Sequence, residues 1–131
     1  MGTKQDQIQA LCERVLDVRP RSKPDPSRLK RVRVIAHRGV HDNRQVLENT
    51  LPAFQAASEA GVWGIELDIR WSADHVPLVF HDADLMRLAG SQARIGGCTA
   101  RQLREAQPWI PTLQEVLGRF GKRLHLMIEL K

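Results

Sequence analysis

Residues 64–70 read Gly64-Ile65-Glu66-Leu67-Asp68-Ile69-Arg70. Apolar residues at 65, 67 and 69 alternate with charged ones at 66, 68 and 70. This period of two predicts a β-strand, over residues 62–70, with Glu66 and Asp68 projecting from one face. Residues 127–131, Met127-Ile128-Glu129-Leu130-Lys131, repeat the pattern and put Glu129 and Lys131 on a common face. Strands of a parallel sheet are covered on both sides and are ordinarily apolar throughout. A carboxylate inside one must be paired, neutralised or bound to a metal, because an isolated buried charge is very costly.

The flanking sequence supplies the rest of a parallel α/β pattern. Residues 32–36 form a β-branched apolar run that leads into His37-Arg38-Gly39. Residues 50–60 predict a helix: Pro52 suits a first turn, Phe54, Ala57 and Ala60 make one stripe, and Gly61 ends it. A third strand is expected over residues 76–80, followed by His81-Asp82. Thr99-x-x-Gln102 and Thr112-x-x-Glu115 are capping-box patterns that open two short helices, the second closed by Gly121. The fourth strand is expected over residues 124–130. Strands that alternate with helices predict βα units in a parallel sheet.

The chain has 131 residues, of which 42% are hydrophobic and 27% charged, enough for one globular core. No run of about 18 apolar residues is present, so no membrane span is expected. The polar start, Met1-Gly2-Thr3-Lys4, has no apolar core of a secretory signal, which points to the cytoplasm. Cys12 and Cys98 lack the spacing of a zinc site or a disulfide framework. The net charge of +5 is not spread over a face: residues 19–33 carry +6 and the remainder −1. That Pro-rich basic stretch is expected to be a solvated linker. No aromatic residue interleaves with it, so nucleic acid is not an expected partner. Residues 3–18 space Ile8, Leu11, Cys12, Val15 and Leu16 along one side of an amphipathic helix. The organisation is therefore helix (1–18), basic linker (19–31) and α/β domain (32–131).

Glu66, Asp68 and Glu129, converging from two strands, offer hard oxygen ligands that suit Mg²⁺ or Ca²⁺ better than zinc. His37 and His81 both follow strands, where two imidazoles can reach one cavity as an acid/base pair. Arg38 and Lys131 add cations at the same edge, and an arginine fork matches a phosphate oxyanion. A metal, two imidazoles and two cations are the parts needed to cleave a phosphate diester.

His37-Arg38-Gly39, Glu48-Asn49-Thr50 with Ala53-Phe54, Gly64-Ile65-Glu66-Leu67-Asp68, His81-Asp82, Ile110-Pro111-Thr112-Leu113 and Ile128-Glu129-Leu130-Lys131 occur in this order. The ordered set resembles the glycerophosphodiester phosphodiesterases, over about residues 32–131. The resemblance implies a (β/α)₈ barrel of the phosphatidylinositol-phosphodiesterase-like superfamily. It matches Glu66, Asp68 and Glu129 to the family's metal ligands, His37 and His81 to its catalytic histidines, and Arg38 and Lys131 to its phosphate-binding cations. It implies hydrolysis of a small-molecule glycerophosphodiester to glycerol 3-phosphate and an alcohol, with His81 as the favoured acid.

Departures from the family pattern are local. Asp74-His75 replaces the usual Asp-Gly, with Asp74 expected to hold the turn, and Ser72 stands where the family favours Thr. His41 and His75 are expected on the surface, and His125 lower on the face of Glu129. A closed barrel takes about 250 residues. The expected fold is therefore the N-terminal half of a (β/α)₈ barrel, with about four parallel strands after an N-terminal helix. The chain is expected to be a fragment of a longer enzyme, or to self-associate through exposed strand edges. A sphingomyelinase-D-like or lysophospholipase-D-like lipid phosphodiesterase uses the same residue set. A non-catalytic anion-binding module built on residues 19–33 accounts for the basic stretch but not for the carboxylates.

Overall fold

The computed structural model describes residue 23 and residues 25–131. The helix expected over residues 3–18 and most of the linker lie outside the described residues. The chain divides into two units, Met1–Val32 and Arg33–Lys131. In the first, Pro26–Leu29 forms one helical turn, α1. Asp25 caps it by accepting from the Ser27 N–H at 3.0 Å. Pro26 opens the turn, where its missing N–H leaves no intrahelical bond unmade. The extended linker expected as far as residue 31 is corrected to that extent: proline there starts a turn instead of breaking one.

The second unit is built around a long central strand. Its strands are β1 (Ile35–His37), β2 (Gly64–Trp71), β3 (Pro77–Val79) and β4 (His125–Leu130). β1 runs parallel to β2, with Ile35 opposite Gly64 and His37 opposite Glu66. β4 runs parallel along the other edge, from Gly64 opposite His125 to Ile69 opposite Leu130. β3 is antiparallel, with Ile69 opposite Val79 and Trp71 opposite Pro77. Ile69 is paired on both sides, so β3 takes over the edge that β1 leaves. The expectation of four parallel strands is thus corrected to three parallel and one antiparallel. The reason is chain length: only residues 72–76 join β2 to β3, whereas a parallel crossover needs about a dozen residues or more.

That tight connection is held by side chains. The Ser72 N–H donates to Val76 O at 3.1 Å, and Ser72 Oγ donates to Asp74 Oδ1 at 2.6 Å. Asp74 Oδ1 also accepts from the Ala100 N–H at 2.8 Å, tying the turn to the start of the helix over Ala100–Ala106. His75 is exposed and left-handed, at φ +58°. It stands where the backbone favours glycine.

Helices α2 (Leu51–Glu59), α3 (Met86–Ala89), α4 (Ala100–Ala106) and α5 (Leu113–Phe120) complete the unit, with a 3₁₀ turn at Ile95–Gly97. Both expected capping boxes form, Thr99 with Gln102 and Thr112 with Glu115. The odd face of β2 (Ile65, Leu67 and Ile69) packs on Phe54 and Ala57 of α2 and on Val116 and Phe120 of α5. Phe54 and Phe120 meet edge to face at 6.0 Å. Each such side chain contributes about 1.5–3 kcal/mol of burial. The helices therefore claim one face of β2 and leave Glu66, Asp68 and Arg70 on the other. Gly64 permits this close pairing, since a Cβ there would lie 2.6 Å from His125 O. Among the described residues, no helix is long and apolar enough to cross a membrane.

His75→Gly is expected to stabilise the domain by about 0.5–1 kcal/mol, by relieving a non-glycine left-handed residue. Urea unfolding checks this; an unchanged or lowered midpoint would contradict the turn geometry.

Candidate active site

The even face of β2 brings together what the sequence separates. Residues opposite one another in a parallel pair share a face, and Asp68 lies opposite Glu129. Carboxylate oxygens of Glu66, Asp68 and Glu129 lie within 4.8 Å of one another. Asp68 has no exposure, Glu66 is buried, and Glu129 is exposed. Burial and the neighbouring Asp68 charge raise the Glu66 pKa above the usual carboxylate value. Asp68 Oδ2 accepts from Asn49 Nδ2 at 3.0 Å and lies 3.0 Å from Arg38 Nε. Asp68 Oδ1 is buried with no hydrogen-bond partner. Lys131 Nζ approaches it to 3.4 Å and donates to Glu129 Oε1 at 2.6 Å. That hydrogen bond to Glu129 leads the rise of the Lys131 pKa.

The turn after β1 aims Arg38 at this cluster. Arg38 and Gly39 both have positive φ, +57° and +83°. A Cβ on Gly39 would lie 2.7 Å from the Ala53 carbonyl carbon, so only glycine passes there. The Arg38 N–H is held by Glu66, at 3.0 Å from its carbonyl oxygen and 3.2 Å from Oε2. His37, at the end of β1, has a side chain 69% exposed, with Nε2 3.8 Å from Glu66 Oε2. Asn49 is left-handed too, at φ +57°. Its side chain grips Asp68 twice, since its Oδ1 also accepts from the Asp68 N–H at 3.3 Å.

A second layer of charge connects this cluster to His81. Glu48, buried, accepts from Arg38 Nη1 at 2.9 Å, Arg87 Nη2 at 2.6 Å and Asn43 Nδ2 at 2.7 Å. Burial works to raise the Glu48 pKa. The hydrogen bonds and charges of Arg87, Asn43 and Arg38 prevail and hold it at about 2. Arg87 Nε donates to Asp82 Oδ2 at 2.7 Å, and Asp82 Oδ1 lies 2.6 Å from His81 Nδ1. One chain of charge-assisted contacts thus runs from Asp68 through Arg38, Glu48, Arg87 and Asp82 to His81.

Six of the seven candidate residues, all except His81, lie in or against the carboxylate cluster; His81 joins it through this chain. The contacts of Arg38 and Lys131 are to carboxylates. Glu48 and Asn49 belong to a quoted motif without an assigned role, and so does Asp82. Arg87 carried no signal beyond its place five residues after Asp82. The reading of His41 as a surface residue is corrected: it is half-buried, and its Nδ1 is buried without a partner. His75 is exposed as expected. His125 lies opposite Gly64, at the far end of β2 from Asp68, and stacks on Trp63 at 4.2 Å.

The site thus sets three carboxylates at one edge of the sheet, with histidine and arginine side chains beside them. Residues 37–131 match the model of the glycerophosphoryl diester phosphodiesterase family, and the chain belongs to that family. It is 37% identical over 101 residues to glycerophosphodiester phosphodiesterase 1 of Bos taurus, covering 67% of this chain and 30% of the relative. It is 36% identical over 110 residues to a glycerophosphodiester phosphodiesterase of Caldanaerobacter subterraneus, covering 75% of this chain and 44% of the relative. The fold is similar to the crystal structure of the glycerophosphodiester phosphodiesterase of Thermotoga maritima. There the TM-score is 0.70 at 40% identity, over 76% of this chain and 44% of the other. A phosphodiesterase of Oleispira antarctica, solved with its product sn-glycerol-3-phosphate, gives a TM-score of 0.66 at 31% identity, with 76% and 44% coverage. The chain thus spans 30% and 44% of the length of these two curated relatives.

The depressed Glu48 pKa makes the charge network a measurable part of stability. The ionised form is favoured in the folded state, so its contribution is present above the ordinary carboxylate range and is lost as pH falls toward about 2. Arg87→Met leaves Glu48 short of a partner and is expected to cost about 2 kcal/mol at neutral pH. In urea unfolding, the deficit of Glu48→Gln relative to wild type is expected to shrink as pH falls from about 5 toward 2. A deficit constant over that range would contradict the ionised, paired Glu48.

Proposed function

We propose that the protein is a divalent-cation-dependent glycerophosphodiester phosphodiesterase that releases glycerol 3-phosphate and an alcohol. The observation that carries this reading is the convergence of Glu66, Asp68 and Glu129 in a chain of this family. The donors are all carboxylate oxygens, and the buried Asp68 Oδ1 lacks a hydrogen-bond partner. A hard cation such as Mg²⁺ or Ca²⁺ fits that set, held by Glu66, Asp68 and Glu129. When bound, it supplies Lewis-acid charge to phosphate oxygens.

The chain's own residues account for binding and proton transfer. Arg38 and Lys131 stand beside the carboxylates as the cations that receive the phosphate. The Asp82 carboxylate accepts from His81 Nδ1, so Nε2 is the atom that exchanges a proton with substrate. His37, exposed beside Glu66, takes a proton from the attacking water as the water oxygen bonds to phosphorus. The phosphorus–oxygen bond to the alcohol then breaks, and His81 protonates the departing alkoxide. The Asp82 contact at Nδ1 orients the His81 ring, which supports His81 in that role over His37. The barrel expectation belongs to the same reading: β1, β2 and β4 run parallel and lie side by side in chain order, as consecutive barrel strands do.

The test is hydrolysis of glycerophosphocholine by the complete protein, followed as glycerol 3-phosphate release. Activity is expected with Mg²⁺ or Ca²⁺ and none after chelation. Glu66→Gln and His37→Ala are each expected to lower kcat by about 10²–10⁴-fold. Chelator-resistant turnover, or wild-type rates in those variants, would sink the reading.

A further inference from the structure

Arg70 follows Glu66 and Asp68 on the even face of β2, two positions beyond Asp68 and toward the end of the strand where the site lies. Its Nε donates to the carbonyl oxygen of His81 at 2.7 Å, which fixes the guanidinium beside that histidine. Its remaining N–H donors have no acceptor among the described residues. Arg70 lines a cleft of about 440 Å³ together with Trp71, Ala83, Arg94, Gly96 and Gly97. Arg94 enters from the loop that follows α3, positioned by an isolated bridge to Asp84. Asp84 does not pair with it: its carboxylate accepts from the Met86 N–H at 3.0 Å.

The cleft is therefore lined by two arginines, a tryptophan and two glycines, with no carboxylate among its lining residues. Among the described residues, neither arginine has an acidic group within salt-bridge distance, whereas Arg38, Arg87 and Arg104 all do. Two like charges facing one cavity without a counter-ion repel one another, and an anion placed between them relieves that repulsion. A fixed guanidinium is suited to a planar or tetrahedral oxyanion. Gly96 and Gly97 leave room where side chains would fill the floor.

We infer that this cleft receives a second anionic group, a phosphate or carboxylate, carried on the alcohol side of the diester. The anion site stands on the geometry above; its assignment to substrate rests on the proposed phosphodiesterase function. The protein then favours diesters whose alcohol bears an extra anion over those bearing choline. Arg94 and Arg70 are the residues that read the difference.

The test has a binding arm and a turnover arm. In the first, the full chain is titrated by NMR with inositol 1,4-bisphosphate, choline phosphate and inorganic phosphate. The Trp71 indole and the Gly96 and Gly97 amides are expected to shift most with inositol bisphosphate. Arg94→Gln and Arg70→Gln are expected to remove those shifts, while Arg101→Gln retains them. In the second arm, the complete protein is assayed on glycerophosphoinositol and its 4-phosphate. The kcat/KM ratio is expected to favour the phosphorylated substrate and to fall about tenfold in Arg94→Gln. Equal ratios in wild type and Arg94→Gln overturn the inference. Shifts as large with inorganic phosphate overturn its assignment to substrate. If neither diester is hydrolysed, the phosphodiesterase reading fails, and the titration alone decides the cleft: shifts lost in both arginine variants support an anion site, and no shifts reject it.

Discussion

The Asp68 carboxylate sits in a parallel strand with no exposure to water. A buried carboxylate is tolerated only with charged or hydrogen-bonding partners around it. The neighbouring backbone is shaped to bring them. Arg38 and Asn49, which reach Asp68 from two different loops, both adopt the left-handed conformation. Each such residue costs on the order of 1–2 kcal/mol in a non-glycine side chain. Charge-assisted contacts to Asp68 offset that strain. The glycine after Arg38 and the threonine after Asn49 are needed for the same geometry: one passes close to Ala53, and the other caps α2. Two neighbouring motifs thus converge on a single acid, and the Asn49 N–H also donates directly to Arg38 O at 3.0 Å.

The antiparallel β3 acquires a function in this frame. It returns the chain along β2, and the Phe80 N–H donates to Asp68 O at 3.0 Å. His81 follows directly, with its carbonyl held by Arg70. A parallel crossover would need a dozen or more residues to bring the chain back to this strand. The hairpin instead delivers a histidine beside the buried acid within a few residues. The Asp82–Arg87–Glu48 contacts then tie that histidine to Arg38, so the acid cluster and the imidazole form one electrostatic unit.

Much of this was legible from residue patterns. The alternation of Ile65, Leu67 and Ile69 with Glu66 and Asp68 identified both faces of β2, because period two is a property of the extended backbone itself. Thr99/Gln102 and Thr112/Glu115 marked helix starts because a capping box is wholly local. Strand direction was less apparent: alternation says nothing about orientation, although the five-residue spacing of residues 72–76 carried the answer. The helical turn at Pro26 was hidden because proline starts helices as well as ending them. The roles of Glu48, Asn49 and Arg87 depend on loops folding back over tens of residues. No spacing rule connects Glu48 with Arg87, which meet 39 positions apart.

The central claim is that the buried Asp68 oxygen and its two neighbouring carboxylates form a cation site. Anomalous scattering from a crystal of the protein grown with Mn²⁺ tests it directly. The expected result is a single strong peak about 2.0–2.6 Å from oxygens of Asp68, Glu66 and Glu129. A peak elsewhere, or an intact Lys131 contact to Glu129 with no peak at saturating Mn²⁺, would contradict it.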